Sequence, residues 1–243
     1  MFSIYKKELQ SFFYTPFAYA VSALFMFLFT FMFNNALGNL EKATFQFTFP
    51  EIFYNLIFYF IFLIPIITMR TFADERKFGT EVLLMTSPVN VFQIIIGKYL
   101  ANITVFLFMI AGSLFFPIFT AMHGTVVISQ LICAYVGFFF WGAMFIAIGQ
   151  LVSAFTENSI IAAIVGEIIM FVFIFIDDFS QTQFIAQYPT LQGVLYAFAA
   201  QPRFAYFSQG FMRLSDIVFF ISAIIVAIAW NYIVIEKRRW NRG

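Results

Sequence analysis

The sequence predicts an all-α integral membrane protein with six transmembrane helices. An interfacial helix precedes them, a short cytoplasmic helix joins the second to the third, and short outer helices join the fifth to the sixth. Three observations lead there. Apolar residues make up 63% of the 243 residues and charged residues only 10%, whereas soluble domains run at about 45–50% and about 25%. The mean hydropathy is +0.92. The apolar residues are gathered into runs close to the roughly 20 that a helix needs to cross about 30 Å of hydrocarbon. This composition excludes a soluble enzyme and a disordered chain. Thirteen Lys and Arg against twelve Asp and Glu leave a net charge of +1, with no basic field for nucleic acid. One cysteine, Cys133, and one histidine, His123, exclude an internal disulfide, a multi-cysteine metal site and the two-histidine zinc motifs.

The six expected spans are Phe17–Leu37, Tyr54–Phe72, Tyr99–Ala121, Gln130–Phe155, Ser159–Ile176 and Asp216–Ile235. Each must be helical, because an unpaired backbone group in lipid costs several kcal/mol. The first run is too long for a signal-peptide core and reads as a true span. Thr156 or Asn158 is placed to cap the fifth span after a very tight turn. Lys and Arg set the orientation. Lys6, Lys7, Arg70, Arg76, Lys77, Lys98, Lys237, Arg238, Arg239 and Arg242 fall on one side, against Lys42, Arg203 and Arg213 on the other. Both termini are therefore expected in the cytoplasm, and an even number of spans is consistent with this because it puts them on one side.

Ahead of the first span, residues 1–16 place Phe2, Tyr5, Leu9 and Phe12 at three- and four-residue steps, with Lys6, Lys7 and Gln10 on another face. That pattern suits an interfacial helix or an ordinary basic anchor. The segment 73–98 is the most informative. Gly79 breaks the helix leaving the membrane, Thr80 is a candidate cap, Glu81 stands in the favourable first turn, and Val82, Leu83, Leu84 and Met85 give an apolar face. Ser87-Pro88 ends the short helix. An apolar face with an acidic rim in the cytoplasm marks a docking partner, or else folds back onto the bundle. The outer segment 177–215 contains Leu191–Ala200, apolar but too short to span. It fits a re-entrant or interfacial half-helix, or a structured loop lying on the bundle.

Inside the membrane, Glu167 is the one acidic residue in the middle of a span. An intramembrane carboxylate is a functional candidate: it faces a pathway, pairs across a dimer, or stays neutral and hydrogen-bonded to a neighbouring helix. The pairs Ala143/Ala147, Gly149/Ser153 and Ala162/Gly166 allow close helix approach. No residue is assigned a catalytic role, and the chain is not read as an enzyme. No H-E-x-x-H or G-x-S-x-G is present. A secondary transporter or channel is the competing reading, but it would place several ionisable groups or broken helices at the midplane.

The connection between spans two and three resembles the E-x-x-x-G-T-x-E-x-L-L-x-x-x-P-V stretch of type-2 exporter (ABC-2 type) ABC transporter permeases. The match runs through Glu75, Gly79, Thr80, Glu81, Leu83, Leu84, Pro88 and Val89, and the chain looks most like gliding-motility-type permease subunits. The resemblance implies a single transmembrane domain over 1–243 in a bacterial plasma (inner) membrane. It also implies that the short helix is a coupling helix seated in an ATPase groove, and that outer re-entrant helices close the pathway. The phosphate-binding loop G-x-x-x-x-G-K-[ST] is missing: Gly97-Lys98 is followed by Tyr99, with Phe92 where the first glycine belongs. No cofactor is therefore expected on this chain. ATP and Mg²⁺ are expected on two copies of a separate cytoplasmic ATPase. The other expected partners are a second permease chain, identical or not, and the lipid bilayer, with an extracytoplasmic accessory subunit as a further candidate.

Overall fold

A computed structural model describes residues 1–40, 49–85, 89–123 and 126–241. Lys42, Ser87, Pro88 and Arg242, which figure in the sequence reading, lie outside the described residues. The described residues form helices and no strand. In chain order these are α1 (Phe2–Phe13), α2 (Phe17–Leu40), α3 (Phe49–Thr68), α4 (Arg70–Lys77), α5 (Glu81–Met85), α6 (Val91–Ser113) and α7 (Phe115–His123). They continue as α8 (Ile128–Phe155), α9 (Ser159–Ser180), α10 (Gln183–Ala186), α11 (Pro189–Phe198), α12 (Gln201–Ser208) and α13 (Leu214–Asn241).

Among the described residues, six helices are long and apolar enough to cross a membrane: Phe17–Gly38, Glu51–Lys77, Val91–His123, Ile128–Phe155, Ser159–Ser180 and Leu214–Arg239. Each coincides with one expected span. The third begins well before Tyr99, because Asn90 caps α6 by accepting a hydrogen bond from the Phe92 amide at 3.0 Å. It breaks at Leu114, where Pro117 in the first turn of α7 can offer no N–H to the preceding turn. Of the two candidate caps for α9, Asn158 takes the role, its side-chain oxygen accepting from the Ile160 and Ile161 amides.

α8 is the hub, with α3, α4, α6, α9, α12 and α13 packed around it. In lipid the neighbouring tails are as apolar as Phe, so helix association rests on dispersion and close approach rather than on escape from water. The sequence meets that demand with aromatic rings and small residues. Phe53 and Phe60 of α3 lie 5.0 and 4.8 Å from the Phe138 ring of α8, and Phe106 of α6 lies 5.8 Å from it. Tilted and edge-on pairs of this kind favour the aromatic quadrupoles. Gly142 makes the arrangement fit: a Cβ there would stand 2.2 Å from the Phe106 ring. The small-residue pairs serve the single-chain bundle. Gly149 abuts Thr68, Ser153 binds α4, Gly166 abuts Pro65, and Ala143, Ala147 and Ala162 are buried.

The connection from α9 to α13 is structured. α11 packs along α9, and α12 drives Phe204 and Phe207, both fully buried, into the bundle. Phe204 meets Trp141 at the middle of α8, at 5.8 Å, and Phe207 lies against Gly137. At the same end Arg203 of α12 bridges Asp216 of α13 at 3.3 Å, and Gln201 bonds Tyr54 of α3.

Candidate functional site

The segments that sequence reading placed on the basic side meet at one end of the bundle. They are α1, α4, the start of α6, the α8–α9 turn and the end of α13, and polar contacts lock them together. Lys98 is the centre. Its ammonium is fully buried and donates to Glu8 Oε1 at 2.9 Å, Glu75 Oε1 at 2.9 Å and the Thr71 carbonyl at 2.8 Å. Those three acceptors use all its donors. The Phe72 ring lies 5.2 Å away. Lys7 closes the rim, 3.5 Å from Glu75 and 3.9 Å from Glu8, so two cations balance two carboxylates. Asn102 donates to Thr71 Oγ1 at 3.1 Å. α1 is thereby fastened to α4 and α6, helped by buried Ile4, which rests on Gly97, and by a Tyr5–Thr104 hydroxyl contact.

A second group fixes α4 to the α8–α9 corner. The chain interrupts its helix at Met69, and the first turn of a helix leaves amides without intrahelical partners. Ser153 of α8 accepts from the Phe72 and Ala73 amides at 3.0 and 3.1 Å and donates to the Met69 carbonyl at 2.9 Å. The C-terminus of α8 needs the opposite chemistry, because its last carbonyls lack partners and carry the negative end of the dipole. Two guanidinium groups converge there. Arg76 donates to the Ala154 carbonyl at 3.4 Å and to Glu157 at 2.6 Å, while Arg238 donates to the same carbonyl and pairs with Glu81 at 3.5 Å. Ser159 donates to Asp74, which also faces Arg70 at 3.9 Å. Ser153→Ala is expected to lower stability by about 1–3 kcal/mol by orphaning buried amides. Thermal unfolding in detergent checks this, and an unchanged midpoint would mean that those amides are satisfied within α4.

Beyond this braced junction stands a foot. Gly79 holds the turn with φ +72, a conformation open to glycine at little cost. Around it Phe78 and Leu83 are about 70% exposed and Val82 is nearly half exposed. The Thr80 hydroxyl donates back to the Glu75 carbonyl at 3.4 Å.

The predicted site residues divide. Gly79, Thr80 and Leu83 stand at the foot. Leu84 lies on α5, and Pro88 lies outside the described residues. Glu75 and Glu81 do not form an acidic rim: both carboxylates turn inward, Glu75 onto Lys98 and Glu81 onto Arg238. Glu167 is apart from this cluster, half-buried on α9, with no ion pair or hydrogen bond from its side chain among the described residues. Sequence reasoning missed Phe78 as part of the exposed tip. It also missed Lys98 as a buried hub, although Val91, Ile94, Ile95, Lys98 and Asn102 share one helical face.

Among the described residues no group of His, Cys, Asp and Glu is placed to hold a metal ion. Cys133 is buried with its thiol on the Gly210 carbonyl at 3.3 Å, and His123 stands exposed at the end of α7. No protein-family model matches the chain, and no curated protein matches it.

Proposed function

We propose that this chain is the membrane-spanning permease subunit of an ATP-driven exporter of the type-2 ABC class, set in a bacterial plasma membrane with both termini in the cytoplasm. The observation that carries this reading is the foot: Phe78, Val82 and Leu83 exposed at the end of a short helix, on a mount held by two buried polar groups. An apolar tip exposed to water marks an interaction site, and a rigid mount lets force applied there reach α3, α6 and α8 instead of bending a loop. The partner is a separate cytoplasmic ATPase, which binds ATP and Mg²⁺, one copy for each of two permease chains. Closure of the paired ATPases pulls on the feet, the spans tilt, and a route opens between the two permeases. Such coupling needs a free-energy link between distant sites, and the Lys98 and Ser153 groups are its material. The contact of Phe204 with mid-α8 supports a re-entrant α11–α12 hairpin closing the route from outside. Glu167 is the pathway candidate.

Two experiments test this. In a Cys133→Ser background, cysteines at Lys6 or Lys77 are expected to react with an impermeant maleimide only after the membrane is opened, whereas cysteines at Gln187 or Ser215 react in intact cells. Labelling at Lys6 and Lys77 in intact cells, with Gln187 and Ser215 protected until the membrane is opened, would reverse the topology. In liposomes, the permease with its co-purified ATPase should hydrolyse ATP faster than the ATPase alone. Equal rates would count against coupling.

A further inference from the structure

α9 and α13 each pack along α8 but hardly on each other. The wedge between them is a groove of about 650 Å³, open to the side. Ile161, Val165 and Ile169 form one wall and Ala223, Val226 and Trp230 the other. The α9 wall runs from Ile161 to Phe173, about 18 Å at helical rise, which is over half of a hydrocarbon layer about 30 Å thick. Phe198 of α11 stands at the end remote from the basic junction. Polar lining is confined to Thr156 and Ser222. The mouth at the basic end differs in kind. Trp230 is about half exposed there, and indole rings favour the level of the headgroups. The stripe of α13 that lines the groove, continued by seven residues, reaches Lys237, which is exposed. Arg238 beside it is already held by Glu81 and the Ala154 carbonyl.

We infer that this groove is a binding site for one anionic phospholipid, with an acyl chain lying between α9 and α13 and the phosphate held at Lys237. The apolar walls suit a chain and nothing ionic. The aromatic ring and the cation at one mouth supply the order in which a phospholipid passes from tail to headgroup. This site is separate from the foot and does not depend on any partner.

The test uses the full chain in nanodiscs with Trp240→Phe, so that Trp230 is the lipid-facing tryptophan, Trp141 being fully buried. Brominated-acyl phosphatidylglycerol should quench Trp230 at about fivefold lower mole fraction than brominated phosphatidylcholine, the preference that one basic side chain confers at an anionic surface. Lys237→Gln, a surface change, should erase that preference, and Ala223→Phe should reduce quenching by both lipids. Equal quenching by the two lipids, or a preference that survives Lys237→Gln, would overturn the inference. So would an Ala223→Phe chain that loses a second copy of itself, by native mass, while its quenching stays unchanged. None of these readings involves ATP, so they stand or fall apart from the transport reading.

Discussion

Lys98→Met is expected to lower the stability of the chain by about 3–5 kcal/mol, the effect of removing one partner from a buried ion group. The lysine lies fully inside, and its loss leaves the Glu8 and Glu75 carboxylates facing each other with only Lys7 at the rim. The Thr71 carbonyl loses its partner as well. α1 and α4 are the elements that should loosen. Glu8→Gln should cost less, about 1 kcal/mol, because Lys98 keeps Glu75 and the Thr71 carbonyl, and a neutral amide can still accept a hydrogen bond. Thermal unfolding of purified protein in one detergent compares the two. Equal midpoints for wild type and Lys98→Met would show that the ammonium is not a fastening. A larger loss for Glu8→Gln than for Lys98→Met would move the centre of the group to α1.

Leu83→Glu is expected to abolish association with the ATPase while leaving the bundle intact. The side chain is about 70% exposed, so under the proposed coupling a carboxylate there would meet water in the free chain and an apolar groove in the complex. Truncating a central interface anchor costs at least about 2 kcal/mol, and burying an unpaired charge in its place costs more. Affinity should fall at least thirtyfold with no change in melting temperature. Glu81 is a poor probe by contrast. It is buried against Arg238, and Glu81→Arg would set two guanidinium groups together, so lost association could not be told from local unfolding. A Leu83→Glu chain that retains its ATPase and its stimulated hydrolysis would remove the foot from the coupling route.

The spans were legible in the sequence because hydrocarbon thickness imposes a length and backbone polarity imposes a helix. The Gly79 turn and the Asn158 cap were legible for local reasons, namely a missing Cβ and a side chain of the right reach. The polar junction was not. A hydropathy threshold locates where a chain enters lipid, not where its helix begins, so Lys98 was counted among loop cations although α6 starts at Val91. Glu75 and Glu81 read as a rim because their partners come from other elements; Arg238 is 157 residues from Glu81. Ser153 read as one half of a small-residue pair, and only the break at Met69 shows why a hydroxyl is needed there. Pairing across long separations leaves no local pattern, whereas length, caps and turns do.

The decisive measurement is purification of the chain from its native membrane in mild detergent, with the bound proteins identified by mass and ATP hydrolysis followed after reconstitution. The expected result is one ATPase per permease chain, carrying its own G-x-x-x-x-G-K-[ST] loop, stimulated by the wild-type permease and released by Leu83→Glu. A chain that moves solute across liposomes by itself, with no nucleotide-hydrolysing protein ever bound at Phe78 and Leu83, would contradict it.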